Sequence, residues 1–269
     1  MRLLALLALL LPPPADEPVS PKDGPIRLWN GKDVDGLYGW LGDTKREDPR
    51  KVYSVQDGLL RISGDGFGYL ATERRYRDYR LVVEFKWGKA NWRGRERNAR
   101  DSGIFLHGTG PDGNSHDGKG AFMAAVECQV MQGRVGDLML IRGDAADGSL
   151  IAPRMSAEAA SARDPDGWPT WRKGGAPVTL QRVGRLNWSG LDPAWKDVLD
   201  FRGKADVESP VAEWTRVECV CEGSRISVAV NGKTVCEAYD IYPDSGKILL
   251  QCEGSEVFFR TFEIHPLGK

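Results

Sequence analysis

The chain has 269 residues, with 37 Lys plus Arg against 38 Asp plus Glu and a formal net charge of −1. That balance argues against a nucleic-acid binder, which needs a basic surface to displace counterions from phosphate, and the length is enough for one large β domain with a full core. The 32 Gly and nine Trp suit short strands joined by turns, with the indoles serving either in sheet packing or as stacking faces for pyranose rings.

The N-terminus carries the clearest local signal. Arg2 precedes an apolar run from Leu3 to Leu11, and Pro12-Pro13-Pro14-Ala15 follows. The run is too short to cross a bilayer as a helix, and it reads as a secretory signal over residues 1–15. The expected setting is therefore secreted or periplasmic, with no membrane span. Residues 16–25, rich in Pro and charge, read as a linker, and a single domain is expected over 26–269. Lys51–Val55 and Leu59–Ser63 flank Gln56-Asp57-Gly58, a hairpin signal. From Tyr79 to Trp87 the residues alternate, with Leu81, Val83 and Phe85 on one face. Ser102–His107 and Ala121–Met131 read as strands separated by a Gly/Asp loop, and Gly136–Ile141 as a further strand.

From about Gly143 to Pro210 the periodicity fails. This insertion is expected to be loop-rich, with a helical turn or two over Ala157–Arg163, and to wall a binding groove. The C-terminal part is regular again. Trp214–Cys221 and Arg225–Val230 flank Glu222-Gly223-Ser224, and Asn231-Gly232 favours a type I′ hairpin. A two-residue loop there would set Val228 opposite Val235 and turn Cys236 away from the face of Cys219. Lys247–Gln251 and Glu256–His265 complete the meander. The five cysteines, Cys128, Cys219, Cys221, Cys236 and Cys252, show no metal-ligand spacing, and Cys219 and Cys221 read as buried apolar groups. The fold class is all-β, a sandwich or barrel of antiparallel strands.

Alternation also locates candidate chemistry. Glu127 and Gln129 share one face of an apolar strand, Val126 and Cys128 the other. Glu127 and Gln129 belong either to a solvated outer face or to a binding face. His107 ends its strand beside a Gly/Asp loop, as a structural imidazole or as a base. Gln251 and Glu253 share a face. Arg260 lies among aromatics, where it can pair with Glu127 or Glu253, contact a sugar, or form an edge salt bridge.

Five stretches in order resemble one family. Leu28-Trp29-Asn30-Gly31-Lys32-Asp33, Asp101-Ser102-Gly103-Ile104-Phe105-Leu106, Val126-Glu127-Cys128-Gln129-Val130, Glu213-Trp214-Thr215 with Val230-Asn231-Gly232, and Gly246–Gln251 followed by Phe259-Arg260-Thr261 are similar to motifs of the 3-keto-disaccharide hydrolases, once called domain of unknown function 1080. Asp101 and Thr261 stand where the family has Asn, and the Trp-rich insertion is a departure. The resemblance implies a concanavalin-A-like jelly roll and hydrolysis of 3-keto-glycosides, with a carbohydrate substrate and an oxidoreductase supplying the keto sugar. A keto group at C3 acidifies the C2 proton. A base removes it, the aglycone leaves from C1, and water adds to the enone. Glu127 or His107 is the expected base. Gln129, Gln251, Arg260, Glu253 and Asp101 would hold the substrate, with Trp168, Trp171 or Trp188 as stacking faces. No cofactor is identifiable and no metal ligand set is readable, although a bound divalent cation such as calcium would serve the same role. Two other readings remain on this fold: a non-catalytic, lectin-like binding module, and a retaining glucanase needing two close carboxylates.

Overall fold

The computed structural model describes residues 17–92 and 94–268. The secretory signal expected over residues 1–15 lies outside them. Two antiparallel sheets face each other. The smaller has seven strands, in the order Gly184–Leu186, Leu138–Ile141, Ala124–Met131, Asp101–Thr109, Lys247–Glu253, Phe67–Thr72 and Leu37–Leu41. The larger has eleven among the described residues. Its centre is Lys233–Tyr242, Arg225–Val230, Thr215–Glu222, Tyr79–Asn91 and Ser255–His265.

Alternation decides which side chains meet between the sheets. Leu81, Val83 and Phe85 of the large sheet, with Val217, Cys219, Ile226 and Val228, pack against Ile104, Leu106, Val126, Cys128 and Leu250 of the small one. Each such fully buried side chain contributes about 1.5–3 kcal/mol. Every strand of the small sheet therefore has a second face turned away from this core. A separate apolar cluster, built around Tyr69, Phe105, Phe122, Ile141 and Leu249, fills one end of that face. The other end carries the polar residues.

Both short hairpins form as expected. Gln56 pairs with Leu59, and Asp57 and Gly58 have φ of +52° and +71°. Val230 pairs with Lys233, and Asn231 and Gly232 have φ of +48° and +80°. Positive φ at both central positions is the type I′ requirement. The register beyond the second hairpin differs from expectation. A bulge between Val228 and Ala229 sets Val228 opposite Cys236. The extra residue returns Cys236 to the core face, and all five cysteines are buried thiols.

The insertion also differs. Arg154–Arg163 is a ten-residue strand, not helical turns, because its backbone is taken up on both sides. It pairs with Lys233–Tyr242 and with Ala176–Gln181. Gly184–Leu186 extends the small sheet beside Leu138–Ile141. The longest irregular stretch is 187–214. Since Met155, Leu186 and Trp188 lie in the inter-sheet core, the inserted segment is structural as well as a wall. The expected linker is also tied down: Val19 exchanges backbone hydrogen bonds with Arg75 and Arg77. No helix of the described residues is long and apolar enough to cross a membrane.

Candidate active site

The polar end of the small sheet's open face is a cleft of about 590 Å³. The floor comes from three adjacent strands. Asp101 and Gly103 lie on one, Glu127 and Gln129 on the next, Gln251 and Glu253 on the third, and all but Gly103 line the cleft. Gly103 pairs with Gln129, and the next residue, Ile104, pairs with Leu250. Gly103 is therefore flanked by Gln129 and Gln251. A methyl group at Gly103 would overlap Glu127 Oε1 and come within 2.9 Å of Gln251 Oε1. The glycine leaves the space in which those two oxygens converge.

The cleft is a field of acceptors. Glu127 Oε1, Gln129 Oε1 and Gln251 Oε1 are buried and have no hydrogen-bond partner, although each residue is at most 4% exposed. Orphaned buried acceptors are costly, so this surface is built to receive donors, and sugar hydroxyls are donors. Gln129 is fixed because its Nε2 donates to Asp101 Oδ1 at 3.1 Å. Asp101 Oδ2 lies 3.0 Å from Arg95 Nη2, and Asp101 N donates to Ser255 Oγ.

The carboxyls differ in proton affinity. Burial pushes Glu127 well above the ordinary carboxylate range, and the charges of Glu253 and Asp101 add to it. Arg185 pulls the other way. Burial raises Glu253 to about 7, against the opposing pull of Arg95 and then Arg185. Asp101 is also pushed upward, by burial and Glu253, against Arg95. On the geometry Asp101 carries the charge, since it holds a guanidinium on one oxygen and an amide N–H on the other. Glu127, with an oxygen facing no donor, holds the proton.

The inserted segment closes one side with Trp168, Arg185 and Trp195, and Arg134 lies behind them. Arg185 Nη1 is 3.3 Å from Asp137 Oδ2, and Arg134 Nη1 is 2.9 Å from the same oxygen. The Arg134 guanidinium lies 4.3 Å from the Trp195 ring centre. Trp168 remains the one sequence-expected indole in the cleft. Trp188 is in the core, its N–H donating to Gly133 O at 3.1 Å. Trp171 packs in the core too, and its exposed edge faces a different groove on the large sheet.

Two further expected site residues lie elsewhere. His107 has φ of +61°, at a shift in pairing between Leu106 and Thr109. The bulge breaks the alternation and turns the ring toward Tyr79, 5.9 Å away and edge-on. Its Nδ1 lies 2.9 Å from Pro243 O, a carbonyl that only accepts, so Nδ1 carries the proton. Burial lowers this imidazole to about 4. Arg260 is on the large sheet, its Nε and Nη2 donating to Glu84 at 3.0 and 3.1 Å, with Trp214 against its guanidinium. It reaches neither Glu127 nor Glu253.

Arg185, Arg134, Arg95, Trp195 and Gly103 were not singled out from the sequence. Gly103 alone had a local signal, a glycine inside an apolar strand. Among the described residues no group of three or more His, Cys, Asp or Glu side chains is arranged to hold a metal ion.

An antiparallel jelly-roll sandwich of the concanavalin-A type, with acids and amides on the open face of one sheet, defines a carbohydrate-active domain. The chain belongs to the 3-keto-alpha-glucoside-1,2-lyase-like domain family, whose profile matches residues 24–265. Curated protein sequences give no match. Among solved structures, two proteins from Parabacteroides distasonis ATCC 8503, each described as a "putative glycosyl hydrolase", are similar to it. One is 16% identical, covers 91% of this chain and 94% of its own, and has a TM-score of 0.49. The other is 18% identical, covers 90% and 99%, and has a TM-score of 0.48. The carbohydrate binding module CBM66 from Bacillus subtilis is 10% identical, covers 85% and 94%, and has a TM-score of 0.44.

Proposed function

We propose that this chain cleaves 3-keto-glycosides by elimination across C1 and C2, followed by addition of water. The observation that carries this reading is the placing of Glu253 and Glu127 in one cleft over a floor of unpartnered acceptors, with burial raising the proton affinity of both carboxyls. Two carboxyls pushed to different proton affinities supply a base and an acid at one pH. Glu253 takes the proton from C2, which the 3-keto group has acidified. Glu127 donates to the C3 oxygen as the C2–H electron pair moves to form the enediol, and the Arg185 guanidinium adds positive charge. When the C3 carbonyl re-forms, Glu127 recovers its proton, C1=C2 forms and the C1–O bond breaks. The proton held by Glu253 leaves on the aglycone oxygen. Water then adds to the enone and gives the free 3-keto sugar. Gln129 and Gln251 accept hydroxyl protons and fix the ring. The base is thus Glu253 rather than Glu127 or His107.

The Leu-rich N-terminal run supports an exported setting, where an oxidoreductase acting on the C3 hydroxyl would supply the substrate. The test is incubation of the purified protein with 3-keto-trehalose in deuterated water. Exchange at C2 and release of 3-keto-glucose are expected, and unoxidised trehalose and cellobiose should be inert. Rapid cleavage of an unoxidised disaccharide without C2 exchange would overturn the mechanism. Sugar binding with no turnover of any keto-glycoside would leave a binding module.

A further inference from the structure

The inserted segment reaches the acid cluster by a route other than the cleft wall. Asp197, in the irregular stretch 187–214, grips the loop that precedes the Asp101–Thr109 strand. Its Oδ1 accepts from Ala99 N at 2.9 Å, and its Oδ2 accepts from Asn98 Nδ2 at 2.8 Å. Leu199 N donates back to Arg97 O at 2.9 Å, and Arg100 pairs with Asp200. The loop is therefore clamped from both directions over four consecutive residues, 97–100.

Arg95 depends on that clamp. Its Nη2 donates to Ala99 O at 3.1 Å, the carbonyl of the residue whose N–H Asp197 holds. The same nitrogen lies 3.0 Å from Asp101 Oδ2 and 3.8 Å from Asp197 Oδ1. The guanidinium thus bridges the inserted segment to the first acid of the cleft. We propose that Asp197 is a positioning residue, which holds the 95–100 loop so that the Arg95 guanidinium stays on Asp101 and the inserted segment thereby sets the charge of the cleft. This rests on the reading of Glu253 and Glu127 as base and acid.

The groups that act on these carboxyls come from five places in the fold. Arg95 and Asp197 approach from the loop and the inserted segment, Arg185 from the Gly184–Leu186 strand, and Glu127 and Glu253 from the strands on either side of Asp101. Arg95 is the first-named charge opposing the rise of Glu253. If the loop relaxes, that opposition weakens and both Asp101 and Glu253 bind protons at higher pH, whereas Asp197's own negative charge, a smaller influence that raises both, is lost with the side chain and works the other way. An opposite charge within 4–6 Å moves a carboxyl by about 1–3 pH units, so losing its fixed position should outweigh the loss of Asp197's charge and move the acid limb upward by up to about 1 pH unit.

The variants are Asp197→Ala, Arg95→Met and the double variant. Asp197→Ala should move the acid limb of kcat/KM to higher pH while KM at the optimum stays within about twofold. In the Arg95→Met background that upward move should be absent, leaving only the small downward move that comes from removing Asp197's own negative charge. An equal shift in both backgrounds, or a fall in kcat with an unmoved pH profile, would overturn the proposal. If Asp197→Ala does not fold, Asp197→Asn, which keeps one acceptor for Ala99, takes its place. A carboxyl carbon NMR titration of Glu253 reads the same shift without turnover. It therefore separates failure of this inference from failure of the proposed reaction.

Discussion

Glu127 Oε1 and Gln251 Oε1 converge above the α-carbon of Gly103, and neither has a hydrogen-bond donor. A carboxyl oxygen and an amide oxygen are held together here, and Gln129 Oε1 beside them is unpartnered as well. Such an arrangement stores an unmet demand for donors, and a polyol meets it.

Gly103→Ala should separate activity from stability. The added methyl meets only the far ends of two flexible side chains, and alanine is the better strand residue. The melting temperature should stay within a few degrees. Displacing both oxygens by about 1 Å should lower kcat/KM by roughly 10²-fold. A melting curve beside steady-state kinetics checks both halves, and retained activity would remove Glu127 and Gln251 from the site.

Glu127→Gln keeps the shape and removes the transferable proton. Turnover of a 3-keto-glycoside should fall by about 10²–10⁴-fold, with C2 exchange slowed in parallel. Unchanged kcat in the variant would eliminate Glu127 as the acid.

The pH profile follows from the two carboxyls. Rate should rise with pH through about 7, where Glu253 ionises, and fall at higher pH as Glu127 loses its proton. Glu253→Gln should abolish the rising limb along with most of the rate. Stability moves in the opposite sense. A carboxyl whose folded-state affinity for protons is raised favours folding at low pH, and this contribution is lost as pH climbs through about 7. Wild type should therefore lose melting temperature relative to Glu253→Gln between pH 4.5 and 7.5, measured calorimetrically. Parallel curves would refute the raised affinity.

His107→Ala and Arg260→Ala test residues that lie away from the cleft. The first removes a buried ring and its hydrogen bond to Pro243, which should cost about 1–3 kcal/mol and leave kcat within twofold. The second breaks a surface pair with Glu84, worth about 0.2–1 kcal/mol, and should leave kinetics unchanged. A hundredfold loss of kcat in either would restore that side chain to the chemistry.

The alternation of Val126, Glu127, Cys128 and Gln129 was enough to put the carboxyl and the amide on one face and two core residues on the other. The same rule placed Gln251 with Glu253. It failed at His107 and at Cys236 for one reason: a bulge adds a residue to one strand and reverses the faces beyond it, and neither bulge has a sequence mark. Arg260 was misplaced because alternation assigns a face within a strand and says nothing about which sheet the strand joins. The inserted segment hid Arg185 and Arg95's clamp. Its Arg154–Arg163 strand is rich in Ala and Ser, so it takes its conformation from the two strands that flank it rather than from its own preference.

The five thiols between the sheets give the molecule a built-in clock. Cys128, Cys219, Cys221, Cys236 and Cys252 are each at most 1% exposed. A hydrogen bond with Cys128, together with burial, raises the proton affinity of Cys219, and burial raises that of Cys221 and Cys236, so little reactive thiolate forms at neutral pH. A thiol reagent can reach them only when one sheet lifts from the other. Labelling kinetics followed by mass, one adduct at a time, would then report how often the sandwich opens and whether its two layers part as a single event or edge first.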